Sequence, residues 1–384
     1  MQRYHHVHGI FENQFGFMFN NKIIHLITTL ERGGAENQLL ILVEEQVSQN
    51  LNVEVIYLKG KPDLKQEFEQ LGVKVREVVA NKKFISQIII LKKYFHDYSG
   101  LIHTHLPRAE IIAFLTVNKK RYLISRHNHA QFWPSAPKLV SVLLSRIAVS
   151  RAAGGISISR TLKEYLIQNR EISKKFPIQV IYYGFSRKAG SDPYQTSHKT
   201  QIFTQTNDSF KIGIISRLVP GKDYPTLFKA LQRVLEKYKK IDLYIVGDGN
   251  QKEELSLLTK TLGIHKNVFW LGKIYGVSKF LSELDLFVFT SKGEGFGLVL
   301  LEAMLASKPI LAANNSAIPE VLGKSYSGLF ETGNCKELAL KISKVIESSD
   351  FSKELIDSYQ PQIELFNPNL MAKLVKQTYE KYGF

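Results

Sequence analysis

Short apolar runs alternate with helix-forming segments twice along this chain, and few folds accommodate that pattern. KIIHLITTL (Lys22 to Leu30), VEVIYL (Val53 to Leu58), VKVREV, LIHTHL, RYLISRHNH and GISIS are short and rich in Ile, Val and Leu. Between them lie NQLLILVEEQVSQ, a charged stretch around Leu64 to Leu71, the apolar and basic ISQIIILKKYF, a segment from about Arg108 to Val117, and the long PKLVSVLLSRIAVSRAAG. Strands that are apolar along their whole length are covered on both faces, and strand–helix–strand alternation builds a parallel sheet. The pattern fades between Gly184 and Gln201, where Ser, Gly and Pro collect, and restarts with FKIGIISRL, DYPTLFKALQRVLEKY, DLYIVGDG, QKEELSLLTKTLG, NVFWLG and VSKFLSELD. LDLFVFTS, LVLLEAMLA and PILAA then form one more strand–helix–strand unit, and Ala339 to Glu347 and Pro368 to Tyr382 read as helices. The fold class is therefore α/β, with two Rossmann-like doubly wound lobes facing a cleft.

The expected organisation is a tail over 1–20, a first lobe over 21–190, a linker over 191–208, a second lobe over 209–365, and a C-terminal helix over 366–384 that packs back on the first lobe. Residues 1–20 lack the apolar core and small-residue cleavage site of a secretory signal, so a tail or an early start ahead of Met18 fits better. No apolar run is long enough to span a bilayer. The one cysteine, Cys335, excludes an internal disulfide framework and fits a reducing, cytoplasmic setting. The net charge of +16 is uneven, and residues 101–190 hold 15 basic against 3 acidic side chains. The first lobe therefore suits an anionic partner. A nucleic-acid partner is not expected, because no reading helix or aromatic-basic platform accompanies the charge.

The most informative string is SKGEGFGLVLLE (Ser291 to Glu302), at the carboxyl end of a buried strand. A glycine-rich turn that opens a helix offers backbone N–H groups to an anion. An ionised carboxylate only accepts hydrogen bonds, so Glu294 and Glu302 suit the hydroxyls of a sugar. GGAE (Gly33 to Glu36), SRHNH (Ser125 to His129), SRLVPGKDY (Ser216 to Tyr224) and VGDG (Val246 to Gly249) fall at other strand ends on the same side.

Together these strings, in this order, resemble the retaining glycosyltransferases of family 4, enzymes of the GT-B fold that use nucleotide-diphospho-sugars. The resemblance extends over nearly the whole chain from Lys22. It implies that Arg217 and Lys222 clamp the donor diphosphate, that the backbone of Phe296 to Leu298, with Gly295 and Gly297, meets the phosphates, and that Gly33 and Gly34 approach them from the first lobe. It also implies that Glu294 holds the donor sugar, Glu302 the ribose, and His127 the transferred sugar, which makes His127, Glu294, Arg217 and Lys222 the catalytic set. Glu36 reads as a helix-start charge. His103 and His105 are expected on the acceptor side. Neither a zinc-type Cys/His spacing nor an Asp-x-Asp pair occurs, so no metal and no cofactor is expected beyond the nucleotide-sugar, which is a co-substrate.

The resemblance implies transfer with retention from a UDP-sugar, with GDP-sugars as the rival, to a glycan or lipid-linked glycan of cell-surface polysaccharide. PKLVSVLLSRIAVSRAAG, with Lys138, Arg146 and Arg151, and ISQIIILKKYF, with Lys92 and Lys93, are candidates for contact with an anionic membrane, which would make the protein peripheral at the inner face. A nucleotide-sugar epimerase or hydrolase of the same architecture is the alternative.

Overall fold

The computed structural model describes residues 22–118, 121–185, 208–274 and 276–384. The stretch read as a tail, and all of the proposed linker except Asp208, lie outside the described residues. The first lobe runs β1 (Lys22–Ile27), α1 (Gly34–Ser48), β2 (Asn52–Tyr57), α2 (Lys65–Gln70), β3 (Lys74–Arg76), α3 (Phe84–His96), β4 (Leu101–His105), α4 (Pro107–Thr116), β5 (Tyr122–Arg126), α5 (Lys138–Val149), β6 (Gly154–Ser157), α6 (Arg160–Gln168) and β7 (Ile178–Val180). The second runs β8 (Phe210–Ile215), α7 (Tyr224–Lys237), β9 (Ile241–Val246), α8 (Lys252–Thr261), β10 (Val268–Gly272), α9 (Val277–Ser282), β11 (Leu286–Phe289), α10 (Leu298–Leu305), β12 (Ile310–Ala313), α11 (Ile318–Leu322) and β13 (Leu329–Phe330). Helices α12 (Cys335–Glu347), α13 (Ser349–Ile363) and α14 (Pro368–Lys381) close the chain.

Each lobe is built on one parallel sheet, seven-stranded in the order β3-β2-β1-β4-β5-β6-β7 and six-stranded in the order β10-β9-β8-β11-β12-β13. The direction of winding reverses between β1 and β4 and again between β8 and β11. Ligands of doubly wound sheets bind beyond the carboxyl ends of the strands at that reversal. The loops that leave β1, β8 and β11 carry GGAE, SRLVPGKDY and KGEGFG, so topology alone brings these strings to the same side.

Sequence pattern explains most elements. β1, β4, β5, β9 and β11 are buried at almost every position, as central strands covered by helices must be. Helix α7 buries Leu227, Phe228, Leu231 and Val234 and turns Lys229, Arg233 and Glu236 outward or to its flank. Asn367 caps α14 by accepting from the Asn369 and Leu370 amides, with Pro368 at the first helical position. Helix α14 then buries Met371, Ala372, Val375 and Tyr379 in the apolar cluster of the first lobe, although the chain has just left the second.

Some elements are not what the pattern implied. Helix α13 was not expected, because SDFSKELIDSYQPQI is polar and carries Pro361. It forms by burying Phe351, Leu355 and Tyr359 against the second lobe, with Pro361 in the last turn, where one lost amide bond matters little. The long PKLVSVLLSRIAVSRAAG segment is helical only to Val149. β7 and β13 are edge strands of three and two residues, too short to show periodicity.

Gly247 adopts φ +143°, and a Cβ there would collide with the Ser216 carbonyl oxygen, so the loops after β8 and β9 can lie against each other only over a glycine. Gly247→Ala should cost about 2–4 kcal/mol, read as a lower urea midpoint. Gly221→Ala, with open space around it, should unfold near the wild-type midpoint.

Candidate functional site

The loop after β8 continues through Arg217 into a single 3-10 turn, Pro220–Lys222, and Asp223 in the left-handed region at φ 50°. It is tied to the loop after β11. The Lys292 amide donates to the Gly221 carbonyl at 2.9 Å, the Thr290 hydroxyl to the Lys222 carbonyl at 2.7 Å, and the Lys292 ammonium pairs with Asp223 at 3.1 Å. The Lys222 ammonium donates to the Glu294 carboxylate, and both side chains are largely shielded from solvent. Arg217, in the loop after β8, is exposed. Lys222 and Glu294, expected to hold different parts of a donor, are thus partners here.

Two helix N-termini converge beside this pair. Gly297, at φ +89°, turns the chain into α10, and Gly33 precedes α1. A Cβ on Gly34 would lie 3.3 Å from Leu298 Cδ1, so the first turns of α1 and α10 face each other across the lobes. Each carries N–H groups without intrahelical acceptors and the positive end of a helix dipole. Gly295 also answers to a contact that the sequence did not show. A Cβ there would sit 2.7 Å from the His127 carbonyl oxygen, so this glycine permits contact between lobes. Phe296 turns inward at 2 % exposure and packs edge-on against Tyr183 and Phe366.

Glu302 lies in the second turn of α10, half-buried, with no hydrogen-bond or ion-pair partner among the described residues. Burial pushes its carboxyl up to about 7. Glu36 is buried, accepts from the Thr29 hydroxyl at 2.5 Å, and is raised by burial. It lies in the first turn of α1, as the helix-start reading expected, but buried.

His127 follows β5 and is held at both ring nitrogens, by the Tyr183 hydroxyl at 2.6 Å and by His105 at 3.0 Å. Burial pushes it down to about 3, so the imidazole is neutral. His103 and His105 are not on an open acceptor face. They are 0 % and 2 % exposed, beneath α1 and α14, and border a small cavity of about 30 Å³ that His127 also lines. The physical reason is register: β4 pairs His103 with His25 and sets His105 beside Ile27 on the covered face of the sheet. His25, His103 and His105 bring nitrogens within 4.8 Å of one another, a spacing a metal ion could use. All six of their ring nitrogens, however, already face protein partners.

Tyr183, Glu320, His25 and Gln46 were not singled out from the sequence. Glu320, on α11, accepts from the Arg160 and Thr161 amides at 2.8 and 2.6 Å and from the Tyr182 hydroxyl at 3.2 Å. A second-lobe carboxylate thereby caps the N-terminus of α6 in the first lobe, where the helix dipole favours it. No local string could have announced this, since the partners lie 138 to 160 residues apart.

The family model for Glycosyltransferase Family 4 matches residues 32–187, and the model for Glycosyl transferases group 1 matches residues 197–360. The chain belongs to the GT-B glycosyltransferases. It is 24% identical over 369 residues to the capsular polysaccharide biosynthesis glycosyltransferase CapM of Staphylococcus aureus, covering 90% of this chain and 93% of that protein. It is 29% identical over 145 residues to a poly(ribitol-phosphate) alpha-N-acetylglucosaminyltransferase of S. aureus, covering 37% of this chain and 29% of the relative. In structure it resembles HepE of Anabaena, solved with UDP and glucose, at a TM-score of 0.76 and 22% identity over 94% of this chain and 99% of that one. The chain is a glycosyltransferase with two Rossmann-like lobes.

The state of Glu302 gives a stability test. A carboxyl raised from 4.5 to about 7 favours the fold fully below pH 4.5, and that contribution is lost as pH rises through 7. Glu302→Gln cannot ionise, so its stability relative to wild type should improve by about 1–3 kcal/mol between pH 4.5 and pH 8 in urea titrations. A difference independent of pH would contradict a buried, uncompensated carboxyl.

Proposed function

We propose that the protein moves a hexosyl group from a UDP-sugar to a hydroxyl of a lipid-linked or cell-surface polysaccharide intermediate, with retention at the anomeric carbon and without a metal or other cofactor. The observation that carries this reading is that the α1 and α10 N-termini face each other next to the Lys222–Glu294 pair, with Glu302, which has no partner among the described residues, in the second turn of α10. A diphosphate at the α10 N-terminus meets free amides, a helix dipole and two cationic side chains, which stabilise charge growing on the leaving group. Arriving phosphate competes with Glu294 for Lys222 and frees the carboxylate to accept from sugar hydroxyls. Glu302 accepts from the ribose. The UDP complexes of HepE and the polysaccharide name of CapM support the donor and acceptor classes.

For retention, the reading is front-face displacement. The bond from the anomeric carbon to the diphosphate oxygen breaks, the acceptor oxygen bonds on the same face, and the departing phosphate takes the acceptor proton. Glu36, a first-lobe carboxylate close enough to Tyr183 to act on its hydroxyl electrostatically, is turned onto Thr29, which does not suit a nucleophile behind the sugar.

The acceptor side is the basic first lobe. No described helix is long and apolar enough to cross a membrane. Helices α3, α4 and α5 pack side by side and expose Ile85 (71 %), Ile89 (66 %), Leu139 (85 %) and Leu143 (59 %) among the exposed Lys92, Lys93, Lys138 and Arg146. Apolar side chains ringed by cations suit the surface of an anionic leaflet.

UDP at 100 times its dissociation constant should stabilise the fold by about 2.7 kcal/mol with EDTA present, and Glu302→Ala should remove most of that gain. Product NMR should show the donor's anomeric configuration. An inverted product, or activity abolished by EDTA, would refute the corresponding part of the reading. Binding to phosphatidylglycerol vesicles at low salt, absent with phosphatidylcholine, is expected for the membrane face. Indifference to both lipids would remove it.

A further inference from the structure

Three histidines of the first lobe form an unbroken hydrogen-bonded row that begins at the cleft and ends on α1. The Tyr183 hydroxyl lies 2.6 Å from His127 Nδ1, and His127 Nε2 lies 3.0 Å from His105 Nδ1. His105 Nε2 lies 2.9 Å from His25 Nδ1, and His25 Nε2 lies 2.8 Å from Oε1 of Gln46. The rings come from β1, β4 and the end of β5, elements brought together by sheet register alone. The row is sealed, with His25, His105 and Gln46 each at most 2 % exposed.

Burial disfavours the imidazolium at all three positions. A neutral imidazole has one N–H and one lone pair, so each bond in the row decides the next. The Gln46 oxygen can only accept, which places the proton of His25 on Nε2 and leaves Nδ1 as an acceptor. His105 must then donate from Nε2 and His127 likewise, and Tyr183 must donate to His127 Nδ1. The other half of the Gln46 amide donates to the Tyr379 hydroxyl at 3.1 Å. Tyr379 is then free to donate to His103 Nδ1 at 2.8 Å, and His103 Nε2 to the Ser125 hydroxyl at 2.8 Å. Every group along this path is satisfied without a charge.

We infer that Gln46 fixes the tautomer of His127 from inside the lobe, acting through His25 and His105 as positioning residues, so that His127 offers a bare Nδ1 as a hydrogen-bond acceptor at the cleft. This rests on the proposed glycosyl transfer, with the transferred sugar beside His127 as the family resemblance implies. In the free protein the acceptor is occupied by Tyr183, whose ring also packs against Phe296 of the donor loop at 5.1 Å between centroids. A sugar hydroxyl that displaces Tyr183 must donate its proton to His127. The row therefore selects the orientation of one substrate hydroxyl, and a His127 free to exchange tautomers would accept in only part of the population. Gln46, His25 and His105 touch no substrate in this scheme.

The test uses the whole chain labelled with ¹⁵N in its histidines. Ring nitrogen shifts should report the Nε2–H tautomer at His127 as the only form between pH 6 and 8. Gln46→Met and His105→Phe break the row and should give mixed tautomers, with kcat lowered roughly tenfold or more, since a misplaced histidine proton is costly to catalysis. The donor KM should stay within about twofold, because neither residue binds the donor. His105→Gln keeps one donor and one acceptor, so it should retain the Nε2–H form and most of kcat. If the broken variants do not fold, the wild-type tautomer and His105→Gln still decide the matter. An imidazolium at pH 7, or an Nδ1–H form at His127 in the wild type, would overturn the inference. So would mixed tautomers in Gln46→Met with kcat unchanged. Failure of the wild type to turn over or bind any nucleotide-sugar would instead defeat the functional reading, while the ring shifts would still settle the tautomer.

Discussion

The close approach of the two lobes is the constraint on which the rest of the site depends. Gly34 stands against Leu298, Gly295 against the His127 carbonyl, and Glu320 against the N-terminus of α6. A Cβ on Gly295 would collide with backbone, one on Gly34 would press on the Leu298 side chain, and the third contact places a carboxylate of one lobe on the amides of the other. Helix α14 adds a fourth tie, since it leaves the second lobe and buries Tyr379 between Gln46 and His103 of the first. With the lobes so fixed, the two helix N-termini face one gap, and under the proposed function both act on the same anion. Each dipole is weak by itself and falls off within a turn, so facing two of them across one gap is an economical way to hold a dianion.

The charges around that gap are arranged for exchange. Lys222 and Glu294 satisfy each other before ligand arrives, which spares the fold an unpaired buried charge. Glu302 has no such partner among the described residues, and burial pushes its carboxyl up to about 7. A ligand with phosphates at one end and hydroxyls at the other can repay both situations at once. The first lobe contributes a neutral face to the same gap, because burial suppresses the imidazolium at His127 and the rings behind it.

Alternation of apolar runs and helical segments was enough to read two parallel sheets, and the SRLVPGKDY and EGFGLVLLE strings were enough to single out two loops that meet in the fold. Both signals are local: a strand, a turn and a helix start occupy ten or so residues. What stayed hidden depends on pairing between distant strands. His103 and His105 looked like cleft residues because they end a strand, yet register turns them onto the face that α1 and α14 cover. The partnership of His127 with Tyr183 spans 56 residues, and that of Gln46 with Tyr379 spans 333, so neither could be read from a string. The contact of Gly295 with the His127 backbone of the other lobe was likewise out of reach of any string. Helix α13 was missed because its stability comes from tertiary burial of three side chains and not from composition.

The central claim is that the facing helix N-termini and the Lys222–Glu294 pair form a site for the diphosphate of a nucleotide-sugar. A crystal structure of the chain with UDP addresses it directly. The account requires phosphate oxygens on the first amides of α10 and on Arg217 and Lys222, the Lys222–Glu294 pair parted, and Glu302 on the ribose hydroxyls. UDP bound elsewhere, or bound with that ion pair intact, would contradict it.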